Sequence, residues 1–136
     1  MRLCISLFKY VLCAMLNILE KHAKFLALLW LLFISVLFFL PGSALPKAGW
    51  LDAIYFDKWV HCGFFVLLIF LWRFYFPKEF RYNWWLLLLA LCYAFGVEVI
   101  QYYFIPNRSF DLFDVMADMA GAFAGIWFWT RRCIKK

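Results

Sequence analysis

Residues 96–125, GVEVIQYYFIPNRSFDLFDVMADMAGAFAG, decide the fold. Two apolar runs flank the turn Pro106-Asn107-Arg108-Ser109, and Glu98, Arg108, Asp111, Asp114 and Asp118 stand among them. An ionisable group at the centre of a membrane helix costs about 2.5–3.5 kcal/mol on insertion scales, so such groups persist where they face a bundle interior or a watery cavity. The stretch therefore predicts two membrane helices joined by a short turn, with their polar side chains turned toward protein.

The rest of the chain extends this pattern. Of 136 residues, 68% are hydrophobic and 24% aromatic, more apolar surface than a soluble domain of this size could bury. The expected class is all-α: a membrane-spanning four-helix bundle with an N-terminal interfacial amphipathic helix. Residues 1–24 form the interfacial segment and residues 25–136 the four-span domain. Spans are predicted at 25–40, 59–76, 84–105 and 112–130, ending at Pro41-Gly42, Pro77, Pro106 and Arg131-Arg132. Each approaches the ~20 residues that cross a ~30 Å hydrocarbon core.

With both termini inside, eleven of the fourteen Lys and Arg lie on the inner side and only Lys47, Lys58 and Arg108 outside. That is a positive-inside bias. It also removes a nucleic-acid reading of the +6 net charge, because the charges are spread along membrane boundaries rather than gathered on one face. Trp50, Tyr55, Trp59, Tyr102 and Tyr103 would form an outer aromatic belt. Trp72, Tyr75, Tyr82, Trp84, Trp85, Trp127 and Trp129 would form an inner one.

In the first 24 residues Ser6, Lys9, Cys13, Asn17, Glu20 and Lys24 draw one polar stripe at steps of three and four. This predicts an amphipathic helix on the inner surface that continues into span one, with a fifth span as the alternative. The five cysteines show no CxxC spacing and read as small hydrophobes.

Six of the eight carboxylates (Asp52, Asp57, Glu98, Asp111, Asp114 and Asp118) fall at the outer level. Asp57 and His61 share a face of span two, Glu98 and Gln101 a face of span three, and Asp111, Asp114 and Asp118 a face of span four. Asp114, Asp118, Gly121 and Gly125 form one stripe, and Gly121 and Gly125 make a GxxxG that admits a close neighbour. Span three carries a similar stripe in Ala90, Ala94, Glu98 and Gln101. Spans three and four are therefore expected to pack through these faces, with homodimerisation through GxxxG as the alternative. Structural roles are open to the same residues. Asp57, Asp111 and Asp114 sit at helix N-termini, Ser109 is placed to cap span four, and Arg108 to pair with Asp111 or Asp114. Glu98 and Asp118 lie deeper and are the stronger functional candidates.

Asp57-Lys58-x-x-His61, Glu98-x-x-Gln101, Arg108, Asp114 and Asp118-x-x-Gly121 with Gly125 resemble the VanZ-like family of small polytopic bacterial membrane proteins. That family usually carries asparagine where this chain has Asp118, so the charge at this point differs. The family is named for a protein associated with low-level resistance to the glycopeptide teicoplanin. The resemblance implies residence in the bacterial cytoplasmic membrane and a role in the cell envelope, among membrane lipids.

Two functional readings follow. In the first the protein is not an enzyme and binds a lipid-linked cell-wall precursor or lipoglycopeptide through Asp57, Lys58, His61, Glu98, Gln101, Arg108, Asp114 and Asp118. In the second it is a small membrane-embedded enzyme with His61, Glu98 and Asp114 as candidate catalytic groups. A divalent metal would then sit among Asp57, His61, Glu98, Asp114 and Asp118; otherwise no cofactor is expected. The chain has no HExxH, no GxSxG and no Cys–His nucleophile pattern, which favours binding.

Overall fold

In lipid every backbone N–H and C=O must find its partner within the chain, which leaves long apolar segments only the helix. The computed structural model describes residues 2–44 and 55–133, with side-chain surroundings from residue 17 onward, residues 42, 132 and 133 apart. These residues form α1 (Arg2–Phe38), a 3-10 turn (Gly42–Ala44), α2 (Phe56–Tyr75), α3 (Arg81–Phe104) and α4 (Leu112–Cys133). Stretches long and apolar enough to cross a membrane lie at Asn17–Phe38, Phe56–Tyr75, Arg81–Phe104 and Leu112–Arg131, in agreement with the expected all-α, four-span class. α1 runs unbroken through residues 24 and 25, and its described membrane-length stretch, Asn17–Phe38, includes both sides of that expected boundary.

Proline sets two of the helix ends. It disfavours helical backbone in the residue before it. Accordingly Phe76, before Pro77, is extended at φ −81° and ψ 151°, and Ile105, before Pro106, at φ −107° and ψ 120°. The turn after Pro106 is completed by Asn107 at φ 58°, a conformation asparagine tolerates.

α2 and α4 make the most extensive helix pair, with α1 packed on α2 and α3 on α4. Glycine permits the first of these. A β-carbon at Gly121 would overlap the Cys62 carbonyl, and one at Gly125 would lie 2.6 Å from the Val66 carbonyl oxygen. The GxxxG face thus meets span two, not span three as the stripes suggested. The stripe marks which face of α4 is small but does not name its partner, and on α2 that partner is the backbone at Cys62 and Val66. α3 still turns Ala90 and Ala94 inward, into a core with Ile34, Phe38, Phe65, Leu68, Val115 and Ala122. Outward, Leu28, Leu32, Leu88, Phe95 and Phe123 are exposed, as lipid-facing positions are. Tyr55, Trp59, Tyr102 and Tyr103 are exposed at one end of the bundle, and Trp84, Trp85 and Trp127 at the other. Trp129 departs from the expected belt: it is buried beneath the Arg73 guanidinium, which lies 3.9 Å from its ring centroid.

Arg73 is itself fully buried, although its position at the end of a span marked it only as a boundary charge. Expectations resting on Lys47, Trp50, Asp52, Lys135 and Lys136 fall outside the described residues. Those on the side chains of Ser6, Lys9, Cys13 and Arg132 fall outside the described side chains.

Candidate functional site

The start of α2, the end of α3 and the start of α4 meet at one end of the bundle. Asp111 organises the rim. Its Oδ1 accepts the Phe113 N–H at 2.8 Å, so Asp111, rather than Ser109, caps α4. Its own N–H donates to Glu98 Oε2 at 2.9 Å, fastening α3 to the start of α4. Its Oδ2 lies 2.5 Å from Lys58 Nζ. The same ammonium donates to Asp114 Oδ1 at 2.5 Å and to Asp57 Oδ2 at 3.0 Å. Asp111 and Asp114 therefore take Lys58 as their cation, and Arg108 makes no ion pair among the described residues.

The Lys58 ammonium holds the Asp111 carboxyl below the ordinary carboxylate range. A carboxyl with a depressed folded value adds stability above about pH 4, where the unfolded chain also ionises, and loses it as pH falls through the folded value. Asp111→Asn keeps a capping side chain but removes the carboxylate that Lys58 stabilises. Its melting temperature is expected to lie below wild type at neutral pH, and the gap is expected to close on acidification below about pH 4 in a thermal-unfolding series.

Below the rim lies a buried floor. His61 Nδ1 is 3.1 Å from Asp118 Oδ1, a geometry in which the ring N–H donates to the carboxylate. The other ring nitrogen, Nε2, is turned toward Asp114 Oδ2 at 4.0 Å. Phe38 of α1 stacks on the imidazole with ring centroids 4.7 Å apart. Glu98 and Asp118 are each 1% exposed, and Glu98 Oε1 is buried with no hydrogen-bond partner. One ligand atom from each of His61, Glu98 and Asp114 lies within 4.8 Å of the other two. Asp57 stays at the rim, with its side chain 59% exposed, and is not among them.

Gln101 shares the buried face of α3 with Glu98 but turns to another task. Its Nε2 donates at 2.8 Å to the Phe38 carbonyl, one of the acceptors left open at the end of α1. Above the rim, Tyr55, Asp57, Lys58, Asp111 and Phe113 line an open cleft of about 560 Å³. Tyr55 sits there in a left-handed conformation at φ 51°, which costs a non-glycine residue about 1–2 kcal/mol. Phe38 against the imidazole, Tyr55 and Phe113 in the cleft, and Asp111 at the rim were not among the predicted binding residues. The sequence marked Asp111 only as a helix-end carboxylate; the other three are aromatics among many, and no spacing signal separates Phe38 from its exposed neighbour Phe39.

Four membrane-length helices that enclose a histidine and three carboxylates define a multi-pass membrane protein with a polar interior at one end. The particular family is shown by comparison: the VanZ/LLP1 family model matches residues 5–134, and the chain belongs to that family. The match covers nearly the whole chain, beyond the 57–125 region that carries the recognisable residues. No curated protein and no solved structure matches the chain significantly.

Proposed function

We propose that the protein resides in the bacterial cytoplasmic membrane with both termini inside, and that its outward-facing acidic cleft binds the polar head of a lipid-anchored envelope ligand. The observation that carries this reading is the cleft itself. It opens at the membrane-surface end of α2 and α4, directly against Lys58 and Asp111, with His61, Glu98, Asp114 and Asp118 beneath. Family membership supports an envelope role, and the distribution of Lys and Arg supports the orientation.

The charge arrangement narrows the ligand. Lys58 is occupied by three carboxylates, so Arg108 is the described cation at this end left to meet a phosphate. The surplus of carboxylate at the rim favours hydroxyl or ammonium groups on the rest of the head. Native mass spectrometry of gently purified protein is expected to show a lipid adduct on wild type. Glu98→Gln and Asp114→Asn are expected to remain monodisperse and to lose it by about tenfold or more, the scale of one charge-assisted hydrogen bond. Retention of the adduct by both variants would refute the reading. An Arg108→Cys variant on a cysteine-free background is expected to react with an impermeant thiol reagent from outside whole cells. Reaction only in inverted vesicles would reverse the topology.

The His61–Asp118 pair favours a second reading, catalysis on a lipid-linked substrate. A carboxylate on one ring nitrogen orients the other as a general base requires. Turnover would appear as a mass change in the bound lipid that His61→Gln abolishes.

A further inference from the structure

The geometry points to a divalent cation held inside the bundle by His61, Glu98 and Asp114. Each of the three has already spent one atom on a protein partner and keeps another in reserve. His61 gives Nδ1 to Asp118 and keeps Nε2. Asp114 gives Oδ1 to Lys58 and turns Oδ2 toward His61 Nε2. Glu98 gives Oε2 to the Asp111 N–H and keeps Oε1, buried and without a partner. A buried acceptor left unsatisfied costs about 1–3 kcal/mol, so this oxygen asks for an occupant. Ligand atoms from the three residues converge within 4.8 Å.

Charge argues the same way. Glu98, Asp114 and Asp118 are all buried, and the Lys58 ammonium bonds only Asp114 among them. Buried carboxylates are ordinarily paired or bound to a metal. The Asp118–His61 contact is the arrangement that orients a metal-ligating histidine, a carboxylate on the nitrogen that faces away from the ion. One imidazole nitrogen with two carboxylate oxygens suits Mn2+ or Zn2+. Asp118 is then a positioning residue rather than a ligand. The cation deepens the binding reading by naming what the floor of the cleft holds. It is measured without lipid, so that its failure and the failure of lipid binding are separate results.

The test is titration of the purified full-length protein with Mn2+ alone, following the free-ion signal by electron paramagnetic resonance. Wild type is expected to take up one Mn2+ per chain. Glu98→Gln and His61→Gln are expected to lose affinity by more than about 100-fold, and Asp118→Asn by about 10–100-fold, the range for an outer-shell partner. Glu79→Gln removes an exposed acid that pairs with Arg81 at the far end and is expected to bind as wild type does. No uptake by folded wild type at millimolar Mn2+ would overturn the inference. So would unchanged affinity in His61→Gln, or loss in Asp57→Asn alone, which would place the ion at the exposed rim. Should Glu98→Gln fail to fold, the wild-type titration and the milder Asp118→Asn still decide.

Discussion

Arg73→Ala is expected to abolish recovery of folded, monodisperse protein, although Arg73 lies at the opposite end of the bundle from the candidate site. Pro77 halts α2 and leaves carbonyls at its end without helical partners. The Arg73 guanidinium caps this end by donating to carbonyls of the segment that follows α2. Nη1 donates to the Phe76 carbonyl at 3.2 Å and the Pro77 carbonyl at 2.8 Å, and Nη2 to the Glu79 carbonyl at 3.1 Å. Nε donates to Asn83 Oδ1 at 2.6 Å, which ties the start of α3 to the end of α2. The plane of the group rests 3.9 Å from the Trp129 ring centroid on α4, so one side chain joins three helices. Alanine would orphan the buried Asn83 acceptor at about 1–3 kcal/mol, leave the partly buried loop carbonyls short of a donor and open a cavity over Trp129. Together these losses are a large part of the about 5–15 kcal/mol that holds a typical protein folded. Arg73→Lys keeps the charge but replaces a planar fork with a point donor, and is expected to fall between the two. Fluorescence-detected size exclusion after a temperature ramp would check the order. An Arg73→Ala midpoint within a few degrees of wild type would contradict this account.

The same residue shows where sequence reading stops. Apolar runs and prolines gave the four spans, because length and the restriction before proline act locally. That Asp57, His61, Glu98, Asp114 and Asp118 gather at one end followed from chain direction alone, but not that Asp57 stays at the exposed rim above the buried four. Contacts between helices did not. Arg73 sits where a boundary arginine would snorkel toward the surface, and only Trp129, more than fifty residues on, reveals that it is enclosed. Ser109 and Asp111 are both good caps, and the backbone places the helix start so that Asp111 serves. That Asp111 and Asp114, more than fifty residues on, reach Lys58 was not legible from its place in the chain. The small faces of α3 and α4 were legible, but periodicity names a face and not its partner. That ambiguity matters most at Gly121.

Gly121→Ala adds one methyl group and is expected to cost far more than such a change usually does. Overpacking a core by a methylene typically costs about 1–3 kcal/mol, because side chains can give way. Here the obstacle is the Cys62 carbonyl, which is backbone, so α2 and α4 would have to separate. Gly63 and Gly96 are internal controls, since a β-carbon at either meets nothing within 4 Å. Gly96→Ala and Gly63→Ala are therefore expected to leave stability unchanged, or to raise it by up to about 1 kcal/mol through helix propensity. Gly121→Leu should be worse than Gly121→Ala, with no folded protein recovered. The consequence extends to the site, because Cys62 adjoins His61 and Gly121 lies one turn beyond Asp118. The close approach of these two backbones thus sets the 3.1 Å contact between His61 and Asp118. Any Gly121→Ala protein that remains folded should bind Mn2+ about as weakly as Asp118→Asn, by about 10–100-fold, since both disturb the orientation of the same imidazole. A Gly121→Ala protein with wild-type melting temperature and Mn2+ affinity would show that α2 and α4 do not meet through this face.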